Sequence, residues 1–431
     1  MVYTARQGIR LSLFTKNWYS NLNLKIGNNM IVSKNPSILG GILLVIGNVI
    51  GAGILALPIA TAQLGLPGAL GILFAFWLLM MLGAYYFLEA NLALPAGSNL
   101  ISMSRAALGK IGVVIAWICN LLVMYSLIAA YISGGSDLIH YNCYALGIPL
   151  PSWAAAIIFV LLFGSIVAHG IHLTDHTNRM LMTIKAAIFS AILIGLFTHF
   201  HLDTVPILPQ KKISGSLLII VLTSFGFAVL VPSLRSYYQS DIKKIKAIIF
   251  WGTFIPLICY ILWTTLVFAV LPYSGPNGLQ QIATSTQPVS GLQIALSGLL
   301  HIPWITQATN VFSAICIITS FLANSISLTD FIADGLNLYT NGKKAMSVYV
   351  IAYLPALCAV LFYQKAFLLG LSIAGTLAII QLLILPGIIV WVLRYSQQNK
   401  SIDYRVTGGK PLLALLLIIS FILLFFSVSN V

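Results

Sequence analysis

The chain has 431 residues, of which 59% are hydrophobic and only 7% charged, and its formal net charge is +14. Its mean hydropathy of +1.00 lies outside the range of water-soluble domains, which excludes a soluble enzyme or binding module as a description of the whole chain. The expectation is an all-α polytopic membrane protein.

A membrane-spanning helix needs about 20 apolar residues. On that criterion eleven spans are expected, at 38–62, 66–93, 110–135, 152–169, 177–198, 215–237, 246–271, 305–332, 345–363, 366–392 and 411–429. Ahead of them, residues 1–36 are basic and polar with no long apolar run, so a cleaved signal peptide is not expected. They are read as a cytoplasmic tail, and 1–29, ahead of Met30, as its dispensable part.

The first span contains Gly47-Asn48-Val49-Ile50-Gly51-Ala52-Gly53-Ile54-Leu55-Ala56-Leu57-Pro58. Glycine adds backbone freedom and proline removes a donor, so a continuous helix is not expected there. An unwound segment inside a bilayer persists only where protein or a water-filled cavity supplies partners for the freed backbone groups. The motif is therefore a candidate binding site.

The second span carries Glu89 near its inner end, where it either snorkels to the interface or joins a polar network. Residues 98–108 predict a short amphipathic segment on the cytoplasmic surface, and the third span, with Tyr125 and Tyr131, is expected to end outside at Ser133-Gly134-Gly135. His169, His172 and His176 have the spacing of metal ligands but lack Cys or acidic partners, so they are read as solvated histidines, with no metal site. Lys185 in the fifth span is either a snorkelling cation or a proton site facing the interior.

The sixth span repeats the pattern of the first. It reads Leu222-Thr223-Ser224-Phe225-Gly226-Phe227-Ala228 and then Val231-Pro232-Ser233. Gly/Pro-interrupted spans at corresponding places in two halves point to an inverted-repeat transporter. Spans one and six of eleven fit two five-helix repeats, about 37–199 and 213–393, plus an extra helix at 411–429, all in one domain. In the outer loop 272–304, residues 292–300 predict a re-entrant or surface helix, while the eighth span is hydroxyl-rich and ends at Asp330 and Asp334. Glu89 and Asp330 are the acids expected within reach of the bilayer interior.

With the N-terminus cytoplasmic, eighteen of the 22 basic residues fall on the inner side and only Lys211, Lys212 and Lys365 outside. This is the positive-inside distribution, so the charge sets orientation and does not recruit nucleic acid; Val431 is then expected outside. Of the five cysteines only Cys143 lies in an expected outer loop, so no disulfide framework is available.

These stretches together resemble the hydroxy and aromatic amino acid permease family, the bacterial tyrosine and tryptophan transporters, over roughly residues 31–429. The matching residues are Gly51-Ala52-Gly53 with Leu55-Ala56-Leu57-Pro58, Leu88-Glu89, Ala130-Tyr131-Ile132-Ser133-Gly134, Asn178-Arg179 with Lys185, Thr223-Ser224-Phe225-Gly226-Phe227 with Val231-Pro232-Ser233, Asp330 with Ala333-Asp334, and Tyr404-Arg405-Val406 with Gly408-Gly409. The resemblance implies a multi-pass bacterial inner-membrane proton symporter that takes up tyrosine or tryptophan by alternating access, with no catalytic residue and no cofactor beyond the coupling proton. The alternative is an amino acid transporter of the same fold that is sodium-coupled, through Thr319 and Ser320, or differently specific, and an intramembrane enzyme is a distant one. The oligomeric state stays open.

Carried over by position, the backbone at Gly51, Ala52 and Gly53 would receive the substrate carboxylate, with Asn48 a further substrate-binding candidate. Carbonyls around Thr223, Ser224, Phe225 and Gly226 would receive the ammonium, and Phe227 and Tyr131 would be aromatic walls. A half-helix N-terminus favours anions and a C-terminus cations, which agrees with this assignment. Lys185 is expected to exchange the proton, and Glu89, Arg235 and Asp330 to form gates or a polar network. One departure is Ala228, where the family commonly has His, together with Arg235 a few residues later.

Overall fold

The computed structural model describes residues 37–198, 215–276, 278–300, 302–336, 338–340, 343–363, 365–395 and 404–428. The basic tail 1–36 and the outer lysines Lys211 and Lys212 lie outside the described residues. Apart from one small hairpin, in which Tyr339–Thr340 pairs antiparallel with Lys343–Lys344, the elements are helical. Among the described residues, eight helices are long and apolar enough to cross a membrane, and three shorter apolar ones accompany them.

The first span is two helices, α1 (Ile38–Val49) and α2 (Gly53–Thr61), and α3 (Gly65–Leu92) follows after a 3-10 turn. Helix α4 (Leu100–Ala145) starts at a capping box, in which Asn99 and Ser102 each take the other's backbone N–H. It turns sharply at Gly109, whose φ of 63° is open to glycine at little cost, so Leu100–Leu108 forms the expected separate segment. Next come α5 (Ser152–Ala168) and α6 (Ile171–Phe197).

The second half opens with another broken span, α7 (Gly215–Thr223) and α8 (Val231–Tyr237). Then follow α9 (Ile242–Val270), the outer pair α10 (Leu279–Thr284) and α11 (Pro288–Leu300), α12 (Pro303–Leu336), and α13 (Met346–Phe362). The tenth span is α14 (Ala366–Ile379) and α15 (Leu385–Tyr395) joined by a π-helical turn at Ile380–Ile384, and α16 (Gly409–Val428) closes the chain. The broken spans sit at the centre: α2 packs on α7, α9 on α1, α14 on both α7 and α4, and α12 on α4 and α6.

Two expectations are corrected here. The third span does not end at Gly135, because α4 continues to Ala145. Gly134 and Gly135 are close-packing positions, where an added Cβ would run into the rings of Phe367 and Phe159 respectively. Continuation of that helix carries Asp137 into the interior at 5% exposure, so Glu89 and Asp330 are not the only acids to consider. The expected helix in the outer loop is α11, longer than foreseen and anchored at its start on Asp137.

Candidate functional site

The two breaks face each other. Helix α1 ends because Ile50 leaves the helical region, with φ −76° and ψ 80°. The backbone between α1 and α2 then finds partners outside its own helix: the Ala52 N–H donates to Ser320 Oγ at 3.0 Å, while the Gly51 N–H reaches only back to the Val49 carbonyl at 2.8 Å. Glycine is required by the approach of neighbours. A Cβ on Gly51 would lie 2.5 Å from Ser320 Oγ, and one on Gly53 2.6 Å from Ser224 Oγ and 3.3 Å from Ser224 Cα.

In the second break, Ser224 to Phe227 make short-range turns: Phe225 N–H to the Leu222 carbonyl at 3.0 Å, Gly226 N–H to Thr223 at 3.1 Å, Phe227 N–H to Phe225 at 2.9 Å. Pro232 then starts α8, where its missing donor costs nothing. The Thr223 hydroxyl lies 2.9 Å from the Leu371 carbonyl on α14, which ties the break to the tenth span. Gly53, Thr223, Gly226 and Ser320 keep partial exposure amid buried neighbours.

The C-terminal end of α1 presents carbonyls, where a cation or donor is favoured. Lys185, on α6 and 4% exposed, donates from Nζ to the Ile50 carbonyl at 2.5 Å, so it points inward and does not snorkel. Tyr260 on α9 donates to the preceding carbonyl, Val49, at 2.6 Å, and its hydroxyl also lies 3.1 Å from the Ser224 carbonyl. Tyr131 on α4 is buried and hydrogen-bonds Ser320 through its side chain. Phe225 packs edge-on against Tyr260 with ring centroids 5.3 Å apart, and Phe227 is buried.

The structure thus brings together Gly51, Ala52, Gly53, Thr223, Ser224, Phe225, Gly226, Phe227, Tyr131 and Lys185. Four candidates lie elsewhere. The Asn48 side chain is exposed on α1. Glu89 is fully buried in a two-pronged pair with Arg394 on α15, with Oε1 2.5 Å from Nε and Oε2 2.5 Å from Nη2. The Val406 N–H adds a third bond to Glu89 Oε2 at 2.8 Å. Arg235 caps the end of α3, donating to the carbonyls of Asn91 and, at 2.9 Å, Leu94. Asp330 pairs with Lys344 at 2.8 Å, beside the hairpin and away from the breaks.

Sequence reasoning missed Tyr260, Arg394 and Asp137. Tyr260 is one aromatic among many in an apolar span and carries no signal of its own. Arg394 was legible only as an inner positive charge. Asp137 lay beyond the glycine pair taken as the helix end. Of the histidines, His169 Nδ1 lies 2.7 Å from the Ser165 carbonyl at the end of α5, and His176 is exposed on α6.

Comparison with known proteins gives the arrangement a lineage. The model of the tryptophan/tyrosine permease family matches residues 34–427. Tyrosine-specific transport system 1 of Haemophilus influenzae is 30% identical over 382 residues, covering 88% of this chain and 94% of its own length. Tyrosine-specific transport system 2 of the same organism is 31% identical over 388 residues, covering 89% and 94%. The tryptophan-specific transport protein of Shigella flexneri is 28% identical over 389 residues, covering 89% and 93%. A multi-pass membrane protein with two broken spans meeting at its centre, this chain belongs to the tryptophan/tyrosine permease family.

Proposed function

We propose that the chain is a proton-coupled importer of tyrosine or tryptophan that works by alternating access across the bacterial inner membrane. The observation that carries this reading is the Lys185 ammonium on the Ile50 carbonyl, at the negative end of α1. A cation-coupled carrier needs a positive charge at such an end, and here the side chain supplies it and can gain or lose it as a proton. Two five-helix repeats, about 37–199 and 213–393, would rock against each other around the breaks, with the helix at 411–429 outside them.

In this reading the substrate carboxylate replaces Ser320 Oγ on the Ala52 N–H, at the start of α2 between Gly51 and Gly53. The ammonium takes carbonyls of the second break, from Thr223 to Gly226. Tyr131 and Phe227 flank the aromatic side chain, and the ring edge sits beside Ala228, where the lack of an imidazole sets its preference. Asn48, being exposed, contributes no side-chain contact. Arg235 and Glu89 hold the inner ends of the helices together, and Asp330 anchors the hairpin.

Sodium coupling fits less well. A fixed ammonium on Lys185, held at the end of α1, would repel the ion. The test is uptake into proteoliposomes with an inward proton gradient and no sodium. Accumulation of labelled tyrosine or tryptophan, competed by the other common amino acids in order of preference, supports the reading. Failure of tyrosine, tryptophan and phenylalanine alike to accumulate refutes the substrate class, and accumulation only with sodium refutes the coupling.

A further inference from the structure

Tyr260 has a position that no substrate contact requires. It is fully buried on α9, in the middle of the seventh span, and its hydroxyl faces both broken helices at once. The Val49 carbonyl, at the end of α1, lies 2.6 Å away, and the Ser224 carbonyl, in the second break, 3.1 Å away. A phenol has one proton to donate, so it satisfies one carbonyl at a time. A buried carbonyl left without a donor is destabilised; the Val49 carbonyl keeps the Gly51 N–H at 2.8 Å when Tyr260 turns away, so the Ser224 carbonyl is the one that depends on another donor once Tyr260 leaves it.

The neighbouring groups define what the other donors are. Ile50, next to Val49, already accepts from Lys185 Nζ at 2.5 Å. The titratable groups around Tyr260 are Lys185 from α6 beyond that carbonyl, Cys316 from α12, Tyr131 from α4 and Cys259 on its own helix. Among these only Lys185 carries a charge in its protonated form, and Cys316 interacts with it electrostatically. The ring of Tyr260 is fixed against Phe225, so the hydroxyl can redirect its hydrogen without moving the side chain.

We propose that Tyr260 is the positioning residue that links the substrate's ammonium to Lys185, by moving one hydrogen bond between the Ser224 and Val49 carbonyls. This rests on the proton-coupled transport reading above. With the second break empty of substrate, the hydroxyl serves both carbonyls by turns. An ammonium on the Ser224 carbonyl commits Tyr260 to Val49, which puts two donors, Tyr260 and Lys185, on consecutive carbonyls of α1. Loss of the Lys185 proton weakens its bond to Ile50, and the end of α1 is then free to shift. No bond is made or broken in the phenol; only its donor direction changes.

The experiment compares Tyr260→Phe with the unaltered protein in two proteoliposome assays. One is exchange of labelled against unlabelled tyrosine with equal pH on both sides; the other is accumulation driven by an inward proton gradient, repeated over a range of external pH. Binding of labelled substrate in detergent confirms that the variant is folded. The expected result is that accumulation falls about tenfold further than exchange, the scale of one buried hydrogen bond, and that the pH profile of uptake flattens. Equal loss in both assays with an unchanged profile overturns the coupling role and leaves a structural one, as does a variant that accumulates normally. If the unaltered protein exchanges substrate but never accumulates it, the proton-coupled reading itself fails; if it accumulates normally and only the variant's two assays fall together, only this inference fails.

Discussion

Glu89 shows how much a single position withholds from a sequence. Near the end of an apolar span, a carboxylate can reach water or be sequestered, and the local sequence is the same in both cases. What decides it is Arg394, which lies 305 positions further on and closes on Glu89 with two parallel bonds while its guanidinium sits 5.7 Å from the Tyr86 ring. Removing one member of a buried ion pair leaves the other charge uncompensated, at a cost of about 3–5 kcal/mol. Glu89→Gln is therefore expected to lower the thermal stability of the purified protein sharply, and Arg394→Gln added to it to restore part of the loss. Additive losses in the two variants would show that the pair is not a unit. Gly53 gives a second residue-scale prediction with a reversed sign. Gly to Ala inside a helix ordinarily stabilises by about 1 kcal/mol. Here the new methyl meets the Ser224 backbone at 3.3 Å, which cannot swing away as a side chain can. Overpacking of this kind costs about 1–3 kcal/mol, so Gly53→Ala should lower both stability and uptake. A variant more stable than the parent with unchanged uptake would mean that the breaks are not in contact.

At the scale of elements, the broken helices were legible because glycine and proline cluster in spans one and six. The first break itself falls at Ile50, and Gly51 and Gly53 beside it make room for Ser320 and Ser224. The same residue type misled at Gly134-Gly135, where the glycines serve a neighbour's ring and leave the helix intact; periodicity contains no record of which helix will press on them. The π-helical turn in the tenth span has no glycine at all and was not legible. Helix α11 was legible in existence but not in attachment. Its start is held by Asp137, whose Oδ2 accepts from the Val289 N–H at 3.0 Å and the Ser290 N–H at 2.9 Å, at the helix N-terminus where a negative charge is favoured. Losing a helix cap costs about 0.5–2 kcal/mol. Asp137→Ala should accordingly speed amide hydrogen exchange over Val289 to Gly291 at least severalfold, with α5 and α6 unaffected. Unchanged exchange there would show that α11 is held by its apolar contacts alone.

For the whole molecule, the distribution of charge along the sequence and its distribution in space agree. Arg235 meets the end of α3, Lys246 lies 5.4 Å from the Tyr404 ring, Lys410 lies 4.8 Å from the Tyr395 ring, and Arg394 holds Glu89. These contacts join the ends of α3, α8 and α15 to the starts of α9 and α16, so those five ends share one strongly basic face. Among the described residues, the contacts on the opposite face are those of neutral groups and one acid: Asn142 with Asn310 at 2.6 Å, His140 with the Leu150 carbonyl at 2.6 Å, and Asp137 with α11. By the positive-inside rule the basic face is expected inward. Cys143, half-buried near the end of α4, would then lie on the outer face, and Arg105, exposed on the segment before Gly109, on the inner one. A membrane-impermeant maleimide added to intact cells should label Cys143 and lose that signal in Cys143→Ser. In that same background Arg105→Cys should label only after the membrane is permeabilised. The reverse pattern would turn the molecule over and refute the inward placement of the basic face, while an inward proton gradient would still drive substrate inward through a symporter.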